Sequence, residues 1–530
     1  MTKIKLLIIG MLFSINSFSQ GNATTYSGSI RNYSAHPEFT TGSLILHNAV
    51  TGADVIHLIQ IAPNGTFSIE FPLMRNQSAW LMFPFSRGHY VYFEPGNRVI
   101  HEFDLTAYPE VKSNFKGDLA SLNNDLWKAS IATASPSNFE KELYGFTPEQ
   151  YKTFMQLRKS KSLKSLDSLK KQDGLGKVAY SRAKAEVNLE SAISLMKYSY
   201  QMEVAHRLSN SISFANKTPT IPAAKLDASY YDFLSHLKYN DTANLSLPSY
   251  RIFLVYLQQI DPIEASVRVK AKTILSSSTN SSSAQVPEKE IQDNIEKLSR
   301  STELIKISRQ EVLKKITKAN VDLEIDLLNI QQVCNNLRHN QEALTDSALL
   351  ALKSELKHPN YISEVIDLND KIKQKIADSK IAKGSKNNET PKGAADNLMT
   401  EILNKYKGKI VFIDFWATWC GPCLLAIENL RPIKTDLMAK DIVFLYLTNA
   451  TSPEKPYRIL SSGIKGEHFR LTTAQYDLIS SKLGIVGFPH YAIANKNGVI
   501  TDQNYRWNDP LKVKEKLTLL ADEPNLRAGE

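Results

Sequence analysis

The chain of 530 residues predicts a multidomain protein in three consecutive parts. These are an N-terminal antiparallel β-sandwich, a central α-helical region and a C-terminal α/β domain. Three observations carry that prediction. The chain is too long for a single hydrophobic core, so two to four domains are expected. Its apolar periodicity changes from alternation, to helical spacing, to buried strands alternating with helices. A polar run rich in Lys, Gly and Pro precedes the last regime, and a Ser-rich run interrupts the helical one.

Composition narrows the function class. The chain is 42% hydrophobic and 22% charged, as an ordinary globular protein is, so wholesale disorder is excluded. The net charge of +10 is spread over the middle of the chain without Arg-rich clusters. That pattern describes a mildly basic solvated surface and not a nucleic-acid footprint.

Residues 1–20 read as a secretory signal peptide. Lys3 and Lys5 form a positive start, Leu6 to Phe13 an apolar core, and Ser17, Ser19 and Gly21 the small residues around a cut between 19 and 21. The apolar run is too short to span a membrane, and no later stretch reaches 18 uninterrupted apolar residues. No cysteine near the cut offers a lipid anchor. The mature chain is expected to be exported and soluble, with no membrane span.

Residues 22–117 read as the β-sandwich. In "GTFSIEF" (65–71), Phe67, Ile69 and Phe71 share one face while Thr66, Ser68 and Glu70 share the other. Asn64-Gly65 before it is a hairpin signal, and Pro95-Gly96 fits the centre of a type II turn. His36, His47, His57, His89 and His101 are scattered, and surface or satisfied histidines outweigh a metal site.

Residues 118–378 read as helical. Thr147-Pro148-Glu149-Gln150 is a helix start with a capping box. Leu323, Leu327, Ile330, Cys334 and Leu337 form one apolar helix face, which makes Cys334 a buried, inert thiol. "SSSTNSSS" (276–283) interrupts the region, and residues 379–395, polar and lysine-rich, read as a linker.

Residues 396–524 alternate strands and helices. "KIVFIDFW" (409–416) and "DIVFLYLT" (441–448) are buried strands. Between them Leu424, Ile427, Leu430 and Leu437 mark a helix that begins at the cysteines. "QYDLISSKLG" (475–484) is a short helix capped by Gly484, "HYAIANKNGVI" (490–500) a hairpin turning at Asn497-Gly498, and a last helix starts near Pro510.

The chemistry concentrates at Cys420 and Cys423. Three cysteines in an exported protein make no disulfide framework. A structural zinc site needs four ligands, and neither Cys334 nor His468 and His490 supplies a paired motif. A purely structural bridge this short closes almost no loop. Two cysteines at a helix start suit dithiol redox chemistry better. The helix N-terminus lowers the first thiol's pKa from roughly 8.5 to about 7 in such sites. Cys420, expected to be exposed, would attack a substrate disulfide, and Cys423 would resolve the mixed disulfide. Gly421 and Pro422 set the turn between them. No cofactor and no metal is expected.

"VFIDFWATWCGPC" (411–423) resembles the active-site segment of the thioredoxin superfamily. With the long N-terminal extension and signal peptide, the chain resembles exported TlpA/ResA-like thiol-disulfide oxidoreductases of the gram-negative envelope. The strong match covers only about the last 130 residues. The resemblance implies a thioredoxin fold, a periplasmic location, protein substrates with disulfides or thiols, and a separate redox partner. It implies that Asp414 manages protons for the second thiol, which suits a lone carboxylate among Val411, Phe412, Ile413, Phe415 and Trp416. It also implies a cis Pro489 facing the cysteines, backbone contacts from Phe488 to a substrate strand, and Trp416 and Trp419 flanking the site. Two positions depart from the pattern: Glu428 stands where a proline is usual, and His490 where a small hydroxyl residue is common.

The resulting expectation is an exported thiol-disulfide oxidoreductase working as a reductase, since Gly421-Pro422 resembles reducing members. The alternatives are a dithiol oxidase or isomerase, and a binding protein whose redox domain is secondary.

Overall fold

The computed structural model describes residues 23–134, 139–214, 218–279, 288–380, 384–391, 397–507 and 509–523. The signal-peptide segment 1–20 and the second half of the "SSSTNSSS" run lie outside the described residues.

Eight strands form the N-terminal part: β1 (Ala23–Arg31), β2 (Thr41–His47), β3 (Asp54–Gln60), β4 (Thr66–Pro72), β5 (Gln77–Met82), β6 (His89–Phe93), β7 (Arg98–Asp104) and β8 (Lys112–Gly117). They make two four-stranded sheets, ordered β4-β1-β7-β8 and β3-β2-β5-β6. Tyr26, Phe67, Phe71, Phe83, Phe93 and Phe103 fill the core of this part. Phe67 and Phe71 point inward while Thr66, Ser68 and Glu70 stay exposed, as the alternation in β4 requires.

Two expectations are corrected here. The sandwich is not wholly antiparallel, because β1 pairs with β7 in parallel. Asn64-Gly65 does not close a hairpin either. It joins β3 to β4, which belong to different sheets, with Gly65 at φ +79°. The Asn-Gly pair supplies a tight reversal, but long-range pairing of β4 with β1 decides where the strand goes. Pro95-Gly96 does form its turn, with Gly96 at φ +78° and Asn97 N–H donating to the Glu94 carbonyl at 3.2 Å.

Helices follow: α1 (Ala120–Thr133), α2 (Pro148–Asp173), α3 (Lys177–Met196) and α4 (Tyr198–Ser209). After them come α5 (Tyr250–Leu257), α6 (Asp261–Thr279), α7 (Glu288–Ser299) and α8 (Thr302–Thr317). The region ends with α9 (Asp322–Asn340), α10 (Asp346–Glu355) and α11 (Ile362–Ser379). Thr147 and Gln150 complete the capping box of α2. Leu323, Leu327, Ile330, Cys334 and Leu337 of α9 are all buried. Burial pushes the Cys334 thiol up to about 12, so it stays protonated and inert. The sandwich and helices share core: Ala49 and Val50 pack into the helical cluster, and Gln331 donates to the Ala49 carbonyl at 2.7 Å.

The C-terminal elements are β9 (Ser385–Asn388), α12 (Leu398–Asn404), β10 (Ile410–Phe415), α13 (Gly421–Met438), β11 (Ile442–Thr448) and α14 (Glu454–Ser462). Then come β12 (Gly466–Arg470), α15 (Thr473–Leu483), β13 (His490–Ala494), β14 (Ile500–Asp502) and α16 (Pro510–Asp522). One six-stranded sheet runs β14-β13-β10-β11-β12-β9. The β9 strand corrects the linker expectation. Ser385–Asn388 falls inside 379–395 but pairs in parallel with β12 as the edge of this sheet. A polar strand at an edge needs no apolar pattern, because only its backbone must pair.

Every residue of β10 is buried. Ile410 and Phe412 pack with α13, whereas Val411, Ile413 and Phe415 pack with α12 and α15. Period-two alternation therefore turns Asp414 toward the α13 side.

Candidate active site

The end of β10 delivers Trp416 to the turn that carries the cysteines. Trp416 is fully buried and sits 6.3 Å from the Tyr457 ring, so its place is in the core. Thr418 N–H donates to the Ser452 hydroxyl at 3.1 Å and fixes the turn to the loop after β11. Cys420 is then the N-cap of α13, with Gly421 and Pro422 opening the helix. Cys420 Sγ accepts the Cys423 N–H at 3.2 Å, and the two sulfurs form a disulfide. The helix start thus presents N–H donors to the first sulfur, which stabilises a thiolate there once the bridge is reduced.

Cys420 was expected to be exposed. In the oxidised form it is only 4% exposed, against 0% for Cys423. Both sulfurs pack in a cluster that also takes in Phe488. The asymmetry has the expected direction, and the exposed neighbours are Trp419, Gly421 and Pro422.

The Phe488–Pro489 peptide is cis. Phe488 is half-buried between Trp419, at 5.6 Å between ring centroids, and Tyr476, at 5.5 Å. Trp419 is held by its indole N–H donating to the Thr451 hydroxyl at 3.2 Å. Phe488, on the cis peptide bond, thus packs against the cluster that holds the disulfide and carries Trp419 and Tyr476 beside it.

Asp414 lies in the interior on the same side of the sheet as α13. It is fully buried and neither carboxylate oxygen has a hydrogen-bond partner. Its cross-strand neighbours are Tyr446 and Tyr491. Burial pushes the Asp414 carboxyl up to about 8, and the positive charge of Lys434 pulls it back. Lys434 is 4% exposed, and burial pushes its ammonium down to about 7, with Asp414 opposing. Lys434 Nζ donates to the Tyr446 hydroxyl at 2.5 Å. The His468 ring stacks on Tyr446 at 4.9 Å, and its Nε2–H donates to the Ile464 carbonyl at 2.8 Å.

Sequence reading missed Lys434. The signal was there: Ile427, Leu430, Lys434 and Leu437 share one helix stripe, and a lysine on an apolar stripe is buried or snorkels. The two departures resolve quietly. Glu428 is exposed and pairs with Arg431 at 2.7 Å, and Pro432 lies inside α13 instead. His490 pairs opposite Phe415, on the face away from α13, and its Nε2 contacts the Gln503 carbonyl at 2.7 Å. Among the described residues no group of three or more His, Cys, Asp and Glu side chains is placed to hold a metal. No described helix is long and apolar enough to cross a membrane.

The arrangement can exchange a disulfide: a sulfur pair at a helix start, one member deeper than the other, with a buried carboxyl on the side of the sheet that faces that helix. The Redoxin family model matches residues 368–518. The Bacillus subtilis thioredoxin-like protein YneN is 30% identical over 126 residues, which is 22% of this chain and 68% of that one. Thioredoxin of Mycobacterium tuberculosis is 42% identical over 55 residues, 10% of this chain and 45% of that one. Among solved structures, the thioredoxin domain of a thiol-disulfide oxidoreductase from Bacteroides vulgatus is 23% identical. It covers 22% of this chain and 82% of that one, at a TM-score of 0.20. Sequence kinship over most of a relative's length, joined to the dithiol at the start of α13, identifies the domain: the chain belongs to the thioredoxin-like family and is a thiol-disulfide oxidoreductase.

Proposed function

We propose that the chain is an exported reductase of protein disulfides. The observation that carries this reading is the buried, unpartnered Asp414 carboxyl on the α13 side of the sheet, with Cys423 deeper than Cys420 at the start of that helix. In the reduced form the Cys420 thiolate attacks one sulfur of a client disulfide, and a client thiolate leaves. Asp414 takes the proton of the Cys423 thiol. The Cys423 thiolate then attacks Cys420 Sγ and expels the second client thiolate. The client gains two electrons and the dithiol becomes the disulfide. A separate redox partner must return those two electrons. Trp419, Gly421, Pro422, Phe488 and cis Pro489 form the surface that receives the client strand.

The reducing direction rests on electrostatics. A more stabilised Cys420 thiolate makes a more oxidising couple. Neither Gly421 nor Pro422 has a side-chain donor or charge that would stabilise the thiolate beyond what the helix start supplies. The expected potential is near the roughly −270 mV of thioredoxin, against about −120 mV for a strong oxidant. Equilibration of the full chain with a dithiothreitol redox buffer tests this. A value above about −180 mV promotes the oxidase or isomerase reading. A Cys423→Ser variant should trap mixed disulfides with clients while Cys420→Ser does not; equal trapping overturns the roles. Export predicts a mature N-terminus near residue 20, and one at Met1 or Thr2 contradicts it.

A further inference from the structure

A cavity of about 850 Å³ lies far along the chain from the dithiol, between the β5–β6 side of the sandwich and helices α1, α2 and α3. Its size is that of small-molecule sites. Three kinds of wall meet in it. The sandwich and α1 supply rings: Trp80 and Tyr90, 4.8 Å apart, and Trp127, 4.5 Å from His89. The α3 wall supplies Glu186 and Glu190, one helical turn apart. The α2 wall supplies Arg158 and Lys159.

The acidic wall lacks partners. Both Glu186 carboxylate oxygens are shut off from solvent and complete no hydrogen bond, although Ser249 lies close by. Burial, then the charge of Glu190, pushes Glu186 up to about 8. Arg182, the nearby cation, is committed elsewhere. It donates to the Ser246 carbonyl and hydroxyl, each at 2.8 Å, and lies 4.2 Å over the Tyr92 ring.

The basic wall is also uncommitted. The Arg158 guanidinium stacks 3.9 Å over Phe139, which leaves its in-plane N–H donors free. Neither Arg158 nor Lys159 has an ion-pair partner among the described residues.

We propose that this cavity binds a small zwitterionic ligand of the amino-acid or short-peptide class. Its amino group sits against Glu186 and Glu190, its carboxylate against Arg158 and Lys159, and its apolar body among Trp80, Tyr90 and Trp127. An ammonium supplies the donors that the shut-off Glu186 carboxylate lacks and meets the exposed Glu190 beside it, and aromatic rings nearby suit a cation. A carboxylate matches the planar guanidinium edge. A purely cationic or purely anionic ligand would leave one charged wall unanswered.

Titration calorimetry of the full chain with the tripeptide Ala-Phe-Ala tests the proposal. Its N-acetylated and C-amidated forms are the controls. The uncapped peptide should saturate, and each cap should weaken binding by about tenfold or more, as loss of one charge-assisted contact does. The Glu186→Gln/Glu190→Gln variant should no longer distinguish acetylated from free peptide. Arg158→Met/Lys159→Met should no longer distinguish amide from acid. No residue lining the cavity comes from the C-terminal domain, so insulin-disulfide reduction by the variants should be unchanged and reports that they fold. No saturation up to roughly 10 mM, where binding is too weak to be specific, overturns the proposal. So does binding indifferent to either cap.

Discussion

Asp414 and Lys434 are both buried on the α13 side of the sheet, yet Lys434 gives its hydrogen bond to Tyr446, and the Asp414 oxygens have no partner. Opposite charges share one interior without a direct bond. Each therefore shifts the other's proton affinity, and neither is fixed as an ion.

Asp414→Asn isolates the carboxyl. Its folded pKa of about 8 lies above the unfolded value of 3.8. Its contribution to stability is thus fully present below pH 3.8 and lost as pH rises through about 8. The variant should be more stable than the parent at pH 9, by roughly 2–5 kcal/mol, with the gap closing toward pH 4. Urea unfolding at the two pH values reads this out. The variant should also release trapped client about 10²-fold more slowly, the usual worth of a positioned general base. An unchanged pH dependence would show that Asp414 does not titrate in this window.

Lys434→Met keeps the buried stem and removes the charge. The charge lowers the Asp414 pKa, so its removal moves the Asp414 titration to higher pH, by about one unit. The alkaline rise in the rate of the Cys423 step should shift by the same amount. Stopped-flow tryptophan fluorescence across pH 6 to 10 measures it, and a profile that stays in place contradicts the coupling.

Gly421 faces open space, with no heavy atom within 4 Å of where a Cβ would stand. Gly421→His should fold with near-parental stability. It places a donor and partial charge beside Cys420, which favours the thiolate and makes the couple more oxidising. The expected rise is on the order of 30 mV or more, where 30 mV corresponds to about 1.4 kcal/mol. Equilibrium against dithiothreitol checks it; a lower potential refutes the electrostatic argument.

His89 and His101 form a buried pair in the sandwich, 5.3 Å between ring centroids. Burial pushes His89 down to about 4 from 6.5, and His101 moves in the same direction. A histidine depressed in this way gives stability that is present above pH 6.5 and lost as pH falls toward 4. For His89 this is about 3 kcal/mol. Hydrogen exchange in β6 and β7 should accelerate between pH 7 and 4.5 after correction for intrinsic rates. His89→Phe should flatten that dependence.

The redox centre was legible because its signals are local. Cys420 and Cys423 are three apart, and Asp414 breaks an apolar run six residues earlier. Lys434 was not recognised, because it sits among the charges Glu428, Arg431 and Asp436 and reads as one more solvated residue. The same holds for Glu186, Glu190, Arg158 and Lys159, whose helices look like ordinary surface helices until α2 and α3 enclose a cavity with the sandwich. Register across distance was the other blind spot. Nothing local in β1 says that it lies parallel to β7, and nothing in "SKNN" says that it extends a sheet.

That last strand sets the reach of the redox centre. Helix α11 ends at Ser379 and β9 begins at Ser385, so the covalent path between them spans at most about 20 Å. Because β9 is hydrogen-bonded into the sheet, the longer stretch up to α12 adds no slack on the helical side. Helix α14 also packs on α9 and α11, and Lys455 pairs with Glu342 at 2.9 Å, so the short tether is joined by contacts that hold the dithiol domain against the helical region. Under the proposed function, a client must bring its disulfide to Trp419 and Pro489, and the helical region then limits the directions from which it can approach.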